Sequence, residues 1–282
     1  MLFSVVIPTC HRDAELAACL DRLAPGAQTL AAENYEVIVT DDGSASTTET
    51  LLRERFPWAR WTQGPRRGPA ANRNHGAAEA HGEWLVFTDD DCMPSAEWLS
   101  AFAAAAHDDS AARVLEGRTH VDRPRAHPLE TSPINEEGGY LWSCNFAIER
   151  ALFEEMAGFN ERFPFNAMED RELHVRLRQR GIAPVFCPAA AVVHPWRLIA
   201  DLREHRRRHV ESQLLLESLH PGEGFPYPWT RLLRTHLRTV LGEHLTWFFR
   251  RPGIALQSIP RLWGTMAADV WRTARVRRRS RR

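Results

Sequence analysis

Two apolar patterns alternate along the first half of the chain. Short β-branched runs recur at Ser4–Pro8 (SVVIP), Glu36–Thr40 (EVIVT) and Trp84–Thr88 (WLVFT), each too short for a helix and closed by proline or polar residues. That predicts buried strands. Between them apolar positions return at helical spacing. Leu16, Leu20 and Leu23 follow a candidate N-cap at Asp13, and Leu51 and Leu52 follow the second strand. The Ala-rich stretch Ala70–Ala80 and the stretch Glu97–Ala106, opened by Pro94-Ser95, predict two more helices. Strand–helix–strand–helix is the signature of a parallel sheet with crossover helices, hence of an α/β fold. Ligands of such sheets collect beyond the carboxyl ends of the strands. Thr9 and Asp42, which close the first two strands, would face that crevice together.

The third strand ends on three successive carboxylates, Asp89, Asp90 and Asp91. Adjacent acids repel one another and resist burial without a partner. A hard divalent cation carrying a diphosphate is a natural one, because Mg²⁺ favours one or two carboxylates plus phosphate oxygens. An acidic turn with Asp91 as an Asx-type residue is the plainer alternative. Upstream, Gly64–Gly76 (GPRRGPAANRNHG) is a Pro/Gly loop running into a helix, with Arg73 near the helix start, where an anion is favoured.

Composition narrows the class. With 282 residues, 44% apolar and 26% charged, the chain can build one large core or two smaller ones. Its zero net charge hides an asymmetry: residues 199–282 hold 17 Arg against 7 acids, about +10, leaving about −10 for residues 1–198. There is no lysine. Five cysteines without a CxxC spacing favour a reduced, cytoplasmic setting and no structural zinc. No signal peptide is read at the start, and no apolar run approaches the ~18 residues of a membrane span.

The ordered set VVIPTCHR, VIVTDDGS, GPAANRNHGA and WLVFTDDDCMP closely resembles the family 2 glycosyltransferases. So do the downstream segments NFAIER (Asn145–Arg150), Gly158–Glu161 and Glu169-Asp170 followed by Leu173 and Leu177. The resemblance covers roughly residues 2–198. It implies a GT-A nucleotide-diphospho-sugar transferase fold, a mostly parallel central sheet flanked by helices. A catalytic domain would span 1–198 and a basic helical extension 199–282. It also implies an inverting transfer from a nucleotide-diphosphate sugar, UDP most often, to a glycan, lipid-linked or small-molecule acceptor in cell-surface polysaccharide or glycoconjugate synthesis. Pro8, Thr9, Asp42 and Arg73 would contact base, ribose or phosphates. Of the triplet, Asp89 or Asp90 would take the ribose and Asp91 the metal (Mn²⁺ or Mg²⁺), with Asp89 a second metal candidate because the register stays open. Asp170 would be the base, with Glu169 its alternative, and His194 (AVVHPW) a further metal ligand suited to Mn²⁺. Trp142, Cys144 and Asn145 would line the acceptor pocket. The proline-broken stretch His120–Gly139 reads as a mobile loop beside the acceptor.

After Trp196 the pattern is helical. Asp201–Leu219 carries Arg206-Arg207-Arg208 and a His205/His209 pair at i, i+4, whose Arg neighbours disfavour a cation. Past a Pro/Gly break at His220–Pro228, a stripe from Trp229 to Phe248 faces Arg231, Arg234 and Arg238. Such a helix, with the Arg277–Arg282 end, suits a peripheral contact with anionic lipid at ~1 kcal/mol per charge. Packing on the catalytic domain or in a homo-oligomer is the commoner fate. Nucleic acid is not expected, since no aromatic-interleaved motif is present. Two other functions compete: a sugar nucleotidyltransferase, against which the PTCHR turn and absent lysine speak, and a non-catalytic nucleotide-sugar or glycan-binding module.

Overall fold

A computed structural model describes residues 1–224, 241–242, 245–254, 256 and 258. In chain order the elements are β1 (Phe3–Thr9), α1 (Asp13–Leu23), a 3₁₀ turn (Ala32–Asn34), β2 (Tyr35–Asp41), α2 (Thr48–Arg55), β3 (Arg60–Gln63), α3 (Pro69–Ala78), β4 (Trp84–Thr88), β5 (Met93–Pro94) and α4 (Trp98–Asp108). There follow β6 (Val114–His120), β7 (Glu130–Thr131), β8 (Asn145–Glu149), α5 (Arg150–Glu155), α6 (Glu169–Gln179), β9 (Val185–Val193), β10 (Arg197–Leu198) and α7 (Leu202–Leu219). The chain forms two units: 1–122 with 132–195, and 123–131 with the chain from Trp196 on.

The first unit holds an eight-stranded sheet in the order β3-β2-β1-β4-β8-β6-β9-β5. β3, β2, β1 and β4 are mutually parallel, as the alternating pattern predicts, and β6 also runs parallel to β9. β8 runs antiparallel between β4 and β6. Successive side chains of a strand point to opposite faces, and β1 divides accordingly. Phe3, Val5 and Ile7 join Leu16, Leu20 and Leu23 of α1 and Trp98, Leu99 and Phe102 of α4 on one face. Val6 joins Ala70 and Ala77 of α3, Phe146 of β8, and Leu173 and Leu177 of α6 on the other. A helix can press that close to the sheet because Gly76 has no side chain: a Cβ there would lie 2.7 Å from Val6 and 3.0 Å from Thr40.

Two expectations need correction, and one strand was not foreseen. Asp13 is the first helical residue rather than the cap, Arg12 standing at the cap position. The Asp13 carboxylate instead accepts hydroxyls from Thr47 and Thr48, tying α1 to the start of α2. The polar strand β3 (RWTQ) was not foreseen: it lies at the sheet edge, where no apolar alternation is needed. Nor is His120–Gly139 a loop without regular structure. Asn135 bridges to Thr119 in the first unit, and β7 pairs with β10 in the second. There Glu130 accepts from Arg123 and from the amides of Ala126 and His127, which hold its carboxyl at about 2.

Within the second unit Asp201 caps α7 by accepting from the Glu204 amide at 3.0 Å. His205 and His209 lie in partly buried positions, and burial with Arg206 nearby lowers both pKa values, His209 to about 4. Among the described residues no helix is long and apolar enough to cross a membrane. Arg231, Arg234, Arg238 and Arg277–Arg282 lie outside the described residues.

Candidate active site

The acid triplet leaves the end of β4 in a turn closed by the Cys92 amide donating to the Asp89 carbonyl. All three acids are buried, and each meets a cation. Asp89 pairs with Arg73 at 2.7 Å. Asp90 pairs with Arg12 at 3.0 Å and accepts the Thr9 hydroxyl at 2.8 Å. Asp91 pairs with the other arm of Arg12 at 3.1 Å and has His194 Nε2 at 3.6 Å. Buried carboxylates persist only with such compensation. Burial nevertheless pushes Asp90 up to about 7, with Arg12 and the Thr9 hydroxyl opposing.

Thr9 and Asp42 do share the sheet edge, the Asp42 amide donating to the Thr9 carbonyl at 3.0 Å. Pro8, one residue earlier, is paired with Thr40 in the ladder. Asp42 clasps the loop ahead of α3: its carboxylate accepts the amides of Arg66 at 2.8 Å and Gly68 at 3.3 Å, while burial raises its pKa.

The ANRN stretch of α3 places three successive side chains in three directions, as 3.6 residues per turn requires. Asn72 locks α3 to β2, accepting the Thr40 hydroxyl at 2.7 Å and donating to the Thr40 carbonyl at 2.9 Å. Asn74 brackets Phe159, donating to its carbonyl and accepting from its amide. Arg73 between them is 1% exposed, lies over the Phe159 ring, and spans from Asp89 to Glu169, 3.0 Å away. This arginine is therefore a buried tie between the acid triplet and α6, not a surface anion site.

α6 begins at Glu169 directly after Met168, whose φ of 71° is a left-handed conformation rare for such a side chain. Glu169 is 1% exposed, and burial, then the charge of Asp170, pushes its pKa up to about 8. Its Oε2 has no hydrogen-bond partner. Asp170 is only partly buried. Its two oxygens accept the amides of Ser143 at 3.2 Å and Arg171 at 2.7 Å. Burial is the largest influence on Asp170 and raises its pKa, against the opposing pull of these amides and of Arg73. Burial thus raises the pKa of both adjacent carboxyls, with the Ser143 and Arg171 amides and Arg73 opposing it at Asp170.

The acceptor-side expectations divide. Asn145 is 1% exposed with its amide fully engaged: its oxygen accepts Trp98 Nε1 at 2.8 Å, and its nitrogen donates to the carbonyls of Arg118 and Ala190. It is a tie in the core, since a buried amide must be satisfied, and Cys144 beside it is likewise buried. Trp142 remains partly exposed, stacked on Tyr140 with ring centroids 5.4 Å apart, and its backbone leads straight to the Ser143 amide on Asp170.

Asp91, Cys92 and His194 form a metal-competent group, with ligand atoms all within 4.8 Å of one another. His194 Nδ1 faces the Pro195 carbonyl at 2.9 Å and the Ser132 hydroxyl at 3.2 Å. In the neutral ring that tautomer leaves the Nε2 lone pair facing an Asp91 oxygen. An imidazole nitrogen and a carboxylate oxygen 3.6 Å apart can share a divalent ion, so the residues fit one. For Mn²⁺ or Mg²⁺ the carboxylate and imidazole are the suitable donors, the thiol being soft.

Sequence reasoning did not single out Arg12, Asn72 or Cys92. A cation three residues after a strand-ending Thr, in a chain with three adjacent acids, is the signal that could have found Arg12.

A family model described as "Glycosyl transferase family 2" matches residues 4–174. A validoxylamine A glucosyltransferase of Streptomyces hygroscopicus subsp. limoneus is 28% identical over 255 residues, covering 76% of this chain and 55% of its own length. The chain thus spans about half of that curated relative. Among solved structures, S. aureus TarS 1–349 in complex with UDP-GlcNAc is similar with a TM-score of 0.60 at 23% identity, over 77% of this chain and 66% of that one. The mannosyltransferase PcManGT from Pyrobaculum calidifontis in complex with GDP-Man and Mn²⁺ gives a TM-score of 0.60 at 18% identity, over 95% of this chain and 86% of that one. These likenesses show the GT-A fold.

Proposed function

Because the chain belongs to glycosyl transferase family 2, we propose that it moves a sugar, with inversion, from a nucleotide-diphosphate sugar to an acceptor hydroxyl, assisted by Mn²⁺ or Mg²⁺. Membership leaves the nucleotidyltransferase and non-catalytic readings without support.

The observation that carries the reading is the Arg73 bridge. Asp89 at a strand end and Glu169 at a helix start, 80 residues apart in sequence, are drawn onto one buried guanidinium, and Asp170 follows Glu169 directly. Donor-side acids and a base candidate therefore share one locality. Thr9, Asp42 and the triplet would receive the nucleoside and diphosphate. Asp91 and His194 would hold the cation, which when bound supplies positive charge to the departing diphosphate.

Asp170 takes the acceptor proton while the acceptor oxygen bonds to the anomeric carbon and the carbon–oxygen bond to the diphosphate breaks. Burial raises its proton affinity, bringing it closer to that of a useful base at neutral pH. The Ser143 and Arg171 amides fix its two oxygens without consuming every lone pair. Glu169, keeping its own proton, spares Asp170 a second adjacent anion. UDP is the favoured nucleotide, one similar structure holding UDP-GlcNAc, although GDP-Man in the other keeps guanosine in the screen. The Arg-rich end of the chain supports a peripheral contact with anionic lipid, which equal sedimentation with and without anionic vesicles would defeat.

A donor-hydrolysis assay over UDP- and GDP-sugars, with and without Mn²⁺, tests the proposal. Nucleoside diphosphate released only with metal and accelerated by an acceptor is the expected result. Equal release after chelation removes the metal from the reading, and pyrophosphate release removes the transfer itself.

A further inference from the structure

The acid triplet is served by two arginines of opposite character. Arg73 is sealed in the core. Arg12 stands at the cap of α1, with no side-chain capping bond and a side chain 30% exposed. Its guanidinium forks across two acids whose side chains are 6% and 2% exposed, reaching Asp90 at 3.0 Å and Asp91 at 3.1 Å. A weaker contact runs to Glu15 at 3.7 Å. Asp91 thus lies between two seats for positive charge, one oxygen on Arg12 and the other facing His194 Nε2.

We propose that Arg12 is the resident counter-cation of the triplet, which a divalent ion displaces from Asp91 only when the donor's diphosphate arrives to take the guanidinium over. The inference rests on the metal-assisted reading above and goes beyond it by assigning an order of binding. A divalent ion and a guanidinium sharing one carboxylate repel each other across a few ångströms of low-dielectric interior. A diphosphate removes the conflict, since it accepts both the metal and a two-pronged arginine, a pairing that the planar guanidinium favours. Metal and nucleotide therefore bind with positive coupling, and Arg12 carries it. Without donor, Arg12 keeps the acids compensated and the free ion out. With donor, it becomes a phosphate ligand at the mouth of the site.

The test is titration of Mn²⁺ alone, followed by titration of UDP at saturating Mn²⁺, on the wild type and Arg12→Gln. Removal of the guanidinium should tighten Mn²⁺ binding without nucleotide by about tenfold and weaken UDP binding by a similar factor, within the span usual for coupled sites. Unchanged or weaker Mn²⁺ binding by Arg12→Gln overturns the proposal while leaving the metal reading intact. If neither protein binds Mn²⁺ even with UDP, the metal reading fails and takes this proposal with it. Should Arg12→Gln not fold, Arg12→Lys carries the same test. Its single point charge cannot span both acids, so Mn²⁺ alone should bind more tightly than to wild type, and equal binding overturns the proposal.

Discussion

Replacing Arg73 by methionine keeps an apolar stem of similar length and removes the charge that joins Asp89 to Glu169. The wild-type guanidinium is 1% exposed, with its terminal nitrogens 2.7 Å and 3.0 Å from the two acids. Breaking a buried pair from one side costs about 3–5 kcal/mol, because the surviving charge has no compensation. Here only one full anion is orphaned: Glu169, at about 8, holds its proton at neutral pH. The loss therefore falls near the lower end, about 3 kcal/mol. For a chain of this size each kcal/mol moves the midpoint roughly 2–4 °C, so Tm should drop by about 6–12 °C. Differential scanning calorimetry at pH 7 reads this directly, with Arg73→Lys expected between the two because an ammonium cannot fork to both acids. A methionine variant melting within about 2 °C of wild type would show that the guanidinium is not what stabilises the triplet.

The other expectations follow from the same geometry. Glu169 has its folded pKa raised from 4.5 to about 8, so the folded state binds the extra proton and wild-type stability falls as pH rises between those values. Glu169→Gln should remove that slope, gaining on the wild type from pH 5 to pH 9 in urea unfolding; parallel curves would contradict the protonated carboxyl. His194→Ala should weaken Mn²⁺ binding in the UDP complex by at least about tenfold in calorimetric titration, and unchanged affinity would remove His194 from the metal shell. Gly76→Ala puts a Cβ 2.7 Å from Val6 and should cost about 1–3 kcal/mol by denaturant unfolding; a neutral result would mean α3 can lift from the sheet freely.

Much of this architecture is legible in residue order, and the illegible parts have physical reasons. β1, β2 and β4 announce themselves because both faces of a central parallel strand are buried, so VVI, VIV and LVF are apolar without interruption. β3 is silent because an edge strand can be polar. Leu173 and Leu177 mark α6 correctly, both being fully buried. Asp89 and Asp170 point to chemistry through their motifs, yet the tie from Asp89 through Arg73 to Glu169, beside Asp170, is long-range and no local spacing encodes it. Arg73 and Asn145 mislead for one reason: a polar side chain near a site reads as a ligand until its buried partners are known. Arg73 instead pairs with two buried acids, and the Asn145 amide is fully engaged by protein groups. Arg12 escaped notice because its value lies in two acids 78 and 79 residues downstream, whose distance no periodicity reports.

The central claim is that Asp170 removes the acceptor proton at a site whose donor side is built from other residues. Asp170→Asn keeps the shape and loses the base, and its kcat for transfer should be measured beside its Kd for UDP with Mn²⁺. The account predicts a fall in kcat of about 10²–10⁴-fold with Kd within about threefold of wild type. Transfer within tenfold of wild type would contradict it.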